Sequence, residues 1–212
     1  MAADMVALMD ALGVDSFFLC GHDRGGRVAH RLALDHPARV EKLCLLDIAP
    51  TLDMYEATDM AFARFYYHWF LLIQPSPLPE MMIGPNARAW LHGTLGGWGT
   101  GGLDFIEPLA RAEYERCLCR AESIHAACED DRASAGIDLE HDRDSRAKSD
   151  RIACDLLVLC GERGVVQQLF EPLALWQAQC GGRVEAPALP AGHFIPEELH
   201  QETAQALRGF FL

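Results

Sequence analysis

Four short runs rich in apolar residues stand out along the chain: SFFLC (16–20), KLCLLDI (42–48), DLLVLCG (155–161) and RVEAPAL (183–189). Apolar runs of this length, without polar alternation, fit parallel strands covered on both faces. Ahead of the first run, Met5, Leu8, Met9 and Leu12 share one face of a predicted helix over residues 2–12, stopped by Gly13. From Gly25 to about Leu34, Val28, Ala29, Leu32 and Ala33 recur on the inner face of a second helix, and Pro37 follows its end. Strand, helix and strand in this order predict a right-handed parallel unit.

The pattern changes in the middle. Residues 55 to about 140 hold no apolar strand but carry helical periodicity, broken by QPSPLPE and by GGWGTGG. FYYHWF and NARAWLHGTL mark this stretch as an aromatic-rich helical insertion, a cap over 53–140 between a first core part (1–52) and a second (141–212). DLEHDRDSRAKSDR, residues 138–151, reads as a charged, solvated return segment. The parallel pattern then resumes with the third strand, a helix in LFEPLALWQAQC, the fourth strand, the loop PAGHF and a final helix from about Glu197. The fold class expected is α/β, a parallel sheet with a helical cap insertion.

Three polar residues fall at the carboxyl ends of separate strands: Asp23, Asp47 and His193. In open α/β sheets that edge is where ligands bind. GHDRGGR places Asp23 at the tip of a tight strand-to-helix turn, the G-x-S-x-G nucleophile elbow with aspartate in place of serine.

Composition narrows the picture further. With 212 residues, half of them hydrophobic, the chain can bury a core as one domain with a large insertion. A net charge of −13 argues against nucleic acid and anionic membranes as partners. No stretch approaches a membrane span, and MAADMVALMD has no basic region ahead of its apolar residues, so no signal peptide is expected. The eight cysteines show no CxxC spacing, which fits reduced core thiols in a cytoplasmic protein. No histidine spacing points to a metal, and no cofactor is expected. His22 reads as turn packing.

An aspartate on the elbow has different chemistry from a serine. It is already ionised at neutral pH, so it can displace a leaving group from saturated carbon and form an ester with the enzyme. Water deprotonated by a histidine then hydrolyses that ester. His193 is the candidate base, oriented by Asp47; Glu162, after the third strand, is the less well matched alternative acid. The backbone N–H of Arg24 would supply one oxyanion donor.

GHDRGGR, LDIAPT, YHWFLLIQPSPLPE, LGGWGT, CEDDRA and PAGHFIPEE together resemble the fluoroacetate (haloacetate) dehalogenases of the α/β-hydrolase fold, across essentially the whole chain. The resemblance implies a small anionic haloacid as substrate. Such an acid approaches an anionic nucleophile on an acidic protein, so attraction must be local. Arg24 and Arg27, three residues apart at the mouth of the elbow helix, could clamp its carboxylate by paired hydrogen bonds. His68 and Trp69 resemble the family's halide-stabilising donors, and Trp98 matches an aromatic pocket wall.

Two departures stand beside the resemblance. In CEDDRA the family carries a tyrosine, a third halide donor, where this chain has Asp131. An ionised aspartate there repels halide unless it points away or pairs with Arg132. The chain also begins in the helix before the elbow strand, where the fold normally has further strands and a second oxyanion donor. The expectation is an N-terminally truncated chain whose elbow strand lies at an uncovered edge, open to a partner such as a second copy in a homodimer. Two alternatives to a dehalogenase remain: an epoxide hydrolase-like enzyme, which needs tyrosine donors that the insertion's Tyr55, Tyr66, Tyr67 and Tyr114 do not supply in a matching motif, and a truncated, non-catalytic remnant.

Overall fold

The computed structural model describes residues 1–99 and 101–212; Thr100, within the GGWGTGG stretch, lies outside the described residues. Helix α1 (Ala2–Ala11) leads to strand β1 (Phe17–His22), helix α2 (Arg24–Asp35) and strand β2 (Val40–Leu46). Strand β3 (Asp155–Gly161) completes the centre of the sheet, and helices α11 (Val165–Leu169) and α12 (Pro172–Gln179) precede two short strands, β4 (Val184–Glu185) and β5 (Ala188–Leu189). Helices α13 (Ile195–Glu198) and α14 (His200–Phe211) close the chain. The sheet runs β1-β2-β3-β4, with β5 also on β3, and every pairing is parallel. RVEAPAL is therefore two strands rather than one. Pro187 has no N–H to continue a ladder and falls in the break between them.

β2 and β3 are buried on both sides because their alternate residues face different cores, whereas β1, expected to be covered on both faces, leaves Phe18 and Cys20 exposed. Leu43, Leu45, Leu156 and Val158 pack with Ala29, Leu32 and Ala33 of α2 and with Trp176 of α12. Cys44, Leu46, Leu157 and Leu159 pack on the opposite face with Ile195 and with Leu207 and Phe210 of α14. Each of these leucines is worth about 1.5–3 kcal/mol of burial. The predicted face of α1 is different: Met5, Leu8 and Leu12 remain exposed, while Ala2 and Val6 touch the core. β1 has β2 as its one strand neighbour, and Phe18 stacks on Phe211.

Among the described residues the middle of the chain carries helices and no strand, as its periodicity predicts: α3 (Thr51–Glu56), α4 (Met60–Phe65), α5 (Tyr67–Leu72), α6 (Leu78–Ile83), α7 (Ala87–Trp98), α8 (Pro108–Leu118), α9 (Ala121–Ser134) and α10 (Ile137–Lys148). The break expected at GGWGTGG falls inside that stretch: α7 continues through Gly96 and Gly97 and ends at Trp98, with Gly99 as its C-cap. One expectation is corrected. The charged segment 138–151 is largely a helix with one packed face, where Leu139, Asp142 and Ser145 are buried. No described helix is long and apolar enough to cross a membrane.

Candidate active site

The turn after β1 is built by close backbone approach. A Cβ on Gly21 would lie 2.5 Å from the Gly25 carbonyl oxygen, so only glycine lets the strand end and the helix start meet. Asp23 sits between them at φ 47° and ψ −119°, a conformation that costs on the order of 1–3 kcal/mol for a residue with a side chain. α2 begins at the next residue, so the Arg24 N–H occupies the first helical turn, where no intrahelical acceptor exists.

Asp47 follows β2, also at positive φ (48°), and is 1% exposed. Its Oδ1 accepts from the Gly161 N–H at 3.0 Å and its Oδ2 from His193 Nδ1 at 2.7 Å. The pairing with Asp47 rather than Glu162 is thus the geometry present. The loop carrying His193 is fastened at both ends. The His193 N–H donates to the Trp98 carbonyl at 2.8 Å, and Glu198 accepts from the N–H groups of Gly192 and Phe194. His22 does more than fill the turn: its Nε2 lies 2.9 Å from the His193 carbonyl oxygen, and the two rings are 4.7 Å apart.

His193 Nε2 stands 3.7 Å from Asp23 Oδ2. Burial alone would lower the His193 pKa, but the two flanking carboxylates, Asp23 and Asp47, outweigh it and raise it. Burial likewise pushes Asp23 up, yet the facing His193 ring and the charge of Arg27 hold its carboxyl well below the usual range. Asp23 is therefore ionised at neutral pH. A cavity of about 30 Å³ lies among Asp23, Asp47, Tyr66, His68, Trp98 and His193, large enough for one water molecule.

A second cavity, of about 260 Å³, opens from Asp23 and Arg24 beneath the helices and is lined near its base by His68, Trp69, Trp98 and Asp131. The structure thus brings His68, Trp69, Trp98 and Asp131 to the nucleophile. Burial lowers the His68 pKa to about 4, so the ring is neutral, and its Nδ1 has no partner. Asp131 neither points away nor pairs with Arg132, which instead binds Glu80 and Glu129. It is 5% exposed, its Oδ1 has no partner, and burial pushes its pKa up to about 6.

The two arginines are held apart in role. Arg24 forms an ion pair with Asp130 at 2.6 Å and donates to Ser134 Oγ at 3.0 Å. Arg27 is buried, donates to the Ala49 carbonyl and Thr51 Oγ1, and lies over the Trp69 ring at 4.7 Å. Among the described residues Arg27 has no ion pair, and its Nε is buried without a partner. The ionised Asp23 is near enough to be stabilised by the Arg27 charge but lies outside ion-pair distance of it. Asp130, Ser134 and Glu198 were not singled out in the sequence, and His22 was read there only as turn packing. Asp130 and Glu198 do lie within CEDDRA and PAGHFIPEE, but nothing in spacing marks an acid as the partner of a particular arginine or loop. The one described cluster with metal-ligand spacing, Glu80, His125 and Glu129, already holds the Arg132 guanidinium between its two carboxylates.

A parallel sheet carrying a nucleophile turn at one strand end, with an acid and a histidine at others, defines an enzyme of the α/β-hydrolase class. The family model for the alpha/beta hydrolase fold matches residues 1–85. The chain belongs to the α/β-hydrolase fold family. It is 40% identical over 210 residues to the fluoroacetate dehalogenase of Burkholderia sp, covering 99% of this chain and 68% of that protein. Among solved structures, a protein of Nostoc sp PCC 7120 described as an alpha/beta hydrolase is 51% identical with a TM-score of 0.95, over 100% of this chain and 71% of its own. One from Pseudomonas aeruginosa described as an epoxide hydrolase is 39% identical with a TM-score of 0.93, over 99% of this chain and 69% of its own.

Proposed function

We propose that this hydrolase removes halide from short 2-halo acids, haloacetates among them, through an ester on Asp23. The observation that carries the reading is the pairing of an elbow carboxylate with the buried, unpaired guanidinium of Arg27. A nucleophile already ionised suits displacement at saturated carbon, and a buried cation with no close ion-pair partner suits an acid substrate. The 40% identical fluoroacetate dehalogenase supports the same reading.

In the first step an Asp23 oxygen forms a bond to Cα as the carbon–halogen bond breaks, and the halide leaves with the electron pair. His68 and Trp69 are the proposed N–H donors to it. In the second step a water attacks the ester carbonyl and gives a proton to His193 Nε2, while the Arg24 N–H stabilises the oxyanion. Collapse expels the 2-hydroxy acid, whose oxygen takes the proton back from His193. Asp23 emerges as a carboxylic acid and ionises. No metal or cofactor enters these steps. Because Asp131 lines the halide end as a carboxylate above about pH 6, bromide and chloride are favoured over fluoride, the most strongly hydrated of the three.

The test is halide release from bromo-, chloro- and fluoroacetate, with mass spectrometry of the His193→Ala variant. That variant should accumulate Asp23 as its carboxymethyl ester, because attack survives and hydrolysis does not. Halide release without any label on Asp23 would sink the assignment.

A second reading is epoxide hydrolysis. It is favoured by one observation: Tyr66 lines the small cavity beside Asp23 and His193, where a phenol could donate to an epoxide oxygen. Styrene oxide turnover that is lost in Tyr66→Phe, with no halide released from bromoacetate, would select it.

A further inference from the structure

The 260 Å³ cavity is larger than a two-carbon acid requires. An apolar cavity of about 150 Å³ already accepts a benzene ring. α7 lines it with a single face: Trp98, Thr94, Leu91 and Ala87 are spaced 4, 3 and 4 residues apart, the i, i+4, i+7, i+11 ladder. At 1.5 Å per residue that face runs about 16 Å from the catalytic end. Opposite it stand Ile83 of α6 and Ile124 of α9, both buried. The wall beyond Trp98 is thus apolar apart from Ser123, whose Oγ already accepts from Arg120, and Thr94. Thr94, one helical turn from Trp98, has its Oγ1 buried without any protein partner. A buried hydroxyl left unpaired costs stability, and a group brought by a ligand would satisfy it.

We infer that this chamber binds a ring-sized apolar substituent on the substrate acid, with a hydroxyl on that substituent received by Thr94. The preferred substrate is then a 2-halo acid with a hydroxyaryl-type side chain, and haloacetate is its minimal fragment. The chemistry rests on the displacement proposed for Asp23 and is unchanged: the oxygen–carbon bond forms as the carbon–halogen bond breaks, and water releases the 2-hydroxy acid. Binding in the chamber does not depend on that chemistry. Carbons of the ring contact Leu91, Ile83 and Ile124, removing apolar surface that bromoacetate leaves open to water.

Two measurements separate the site from the reaction. Calorimetric titration with the unreactive acids acetate, 3-phenylpropanoate and 3-(4-hydroxyphenyl)propanoate reads the chamber alone. The ring acids should bind at least about 100-fold more tightly than acetate, and the hydroxyl should add a factor of about ten, the worth of one hydrogen bond. Thr94→Val, which keeps the shape, should remove most of that last factor and leave the advantage of the phenyl acid. Ala87→Phe, which fills the chamber, should weaken both ring acids at least about tenfold relative to acetate. Bromide release from 2-bromo-3-(4-hydroxyphenyl)propanoate, 2-bromo-3-phenylpropanoate and bromoacetate should rank in that order by kcat/KM. Ring acids that bind no better than acetate, or whose binding ignores both substitutions, would overturn the inference even if bromoacetate is turned over. Ring acids that bind as stated while no bromo acid releases bromide would leave the chamber standing and remove the dehalogenase reading instead.

Discussion

Asp47 Oδ2 accepts a hydrogen bond from His193 Nδ1 at 2.7 Å, and the carboxylate is 1% exposed. That contact fixes the ring so that Nε2 faces Asp23 across 3.7 Å, too far for a hydrogen bond, and both side chains line the cavity that fits one water. Asp47→Asn keeps the shape but removes the charge and offers an N–H to the ring, favouring the wrong tautomer. Ester hydrolysis should fall by about 10⁴-fold, the scale of the same change in other triads. Rapid-quench kinetics with bromoacetate should therefore show one fast equivalent of bromide and then almost none. An equal loss in both phases would mean that Asp47 serves folding rather than the second step.

The pH dependence of the two steps should separate. In the free protein Asp23 and Asp47 together raise the His193 pKa. Esterification neutralises Asp23 and leaves Asp47 alone to do so, which lets the His193 pKa fall. A base works when deprotonated, so ester hydrolysis should accelerate as pH rises, with a midpoint below the His193 pKa of the free protein. The check compares the rate of ester decay against pH with NMR titration of His193 in the unreacted protein. Coincident midpoints would show that the charge on Asp23 does not govern His193.

Arg27→Leu should cost about 1.5–3 kcal/mol in haloacetate binding, roughly 10- to 150-fold in kcat/KM, because it deletes a buried charge-assisted contact. The loss should be smaller for neutral bromoacetamide. Arg24→Leu should differ by also lowering Tm, since it leaves the half-buried Asp130 without its ion-pair partner. Asp130→Asn added to Arg24→Leu should recover part of that Tm. Equal losses for the acid and the amide in the Arg27 variant would refute a carboxylate role.

Asp131 carries a raised pKa, about 6, because of its burial. A carboxyl that is raised on folding costs stability where it is ionised in both states, fully above about pH 6, and costs nothing below its unfolded pKa of about 4. Asp131→Asn should therefore raise Tm at about pH 8 and leave it nearly unchanged at about pH 3.5. Asp131→Tyr should improve fluoroacetate relative to bromoacetate by about tenfold, one hydrogen bond realised in the transition state. Thermal melts at the two pH values and halide assays on the two acids read these outcomes. A Tm gain that is the same at both pH values would place the effect in packing.

The chain order alone determined the sheet and the reacting groups. Runs as apolar as KLCLLDI and DLLVLCG are costly to leave in water, and both are buried at the centre of the sheet, whereas SFFLC, equally apolar, leaves Phe18 and Cys20 exposed because its coverage depends on what lies beside β1. Asp23 and Asp47 stand at the ends of the first two runs and His193 in the loop after RVEAPAL, so chain order carries them to one edge. RVEAPAL was less legible, because the cost of Pro187 depends on which neighbour the ladder meets. The charged segment around Asp142 hid its packed face because its period is polar, and only contact with other elements reveals which side is buried. What the tertiary structure alone decided are contacts between residues far apart in sequence. These are Arg24 on Asp130, Arg27 held by Thr51 without a close ion-pair partner, His22 behind His193, and Asp131 turned inward and away from Arg132. Each is set by how the helices of the middle segment lie over the sheet edge. A side chain's partner, its charge state and the volume before it are properties of that packing, and no period or spacing along the chain encodes them.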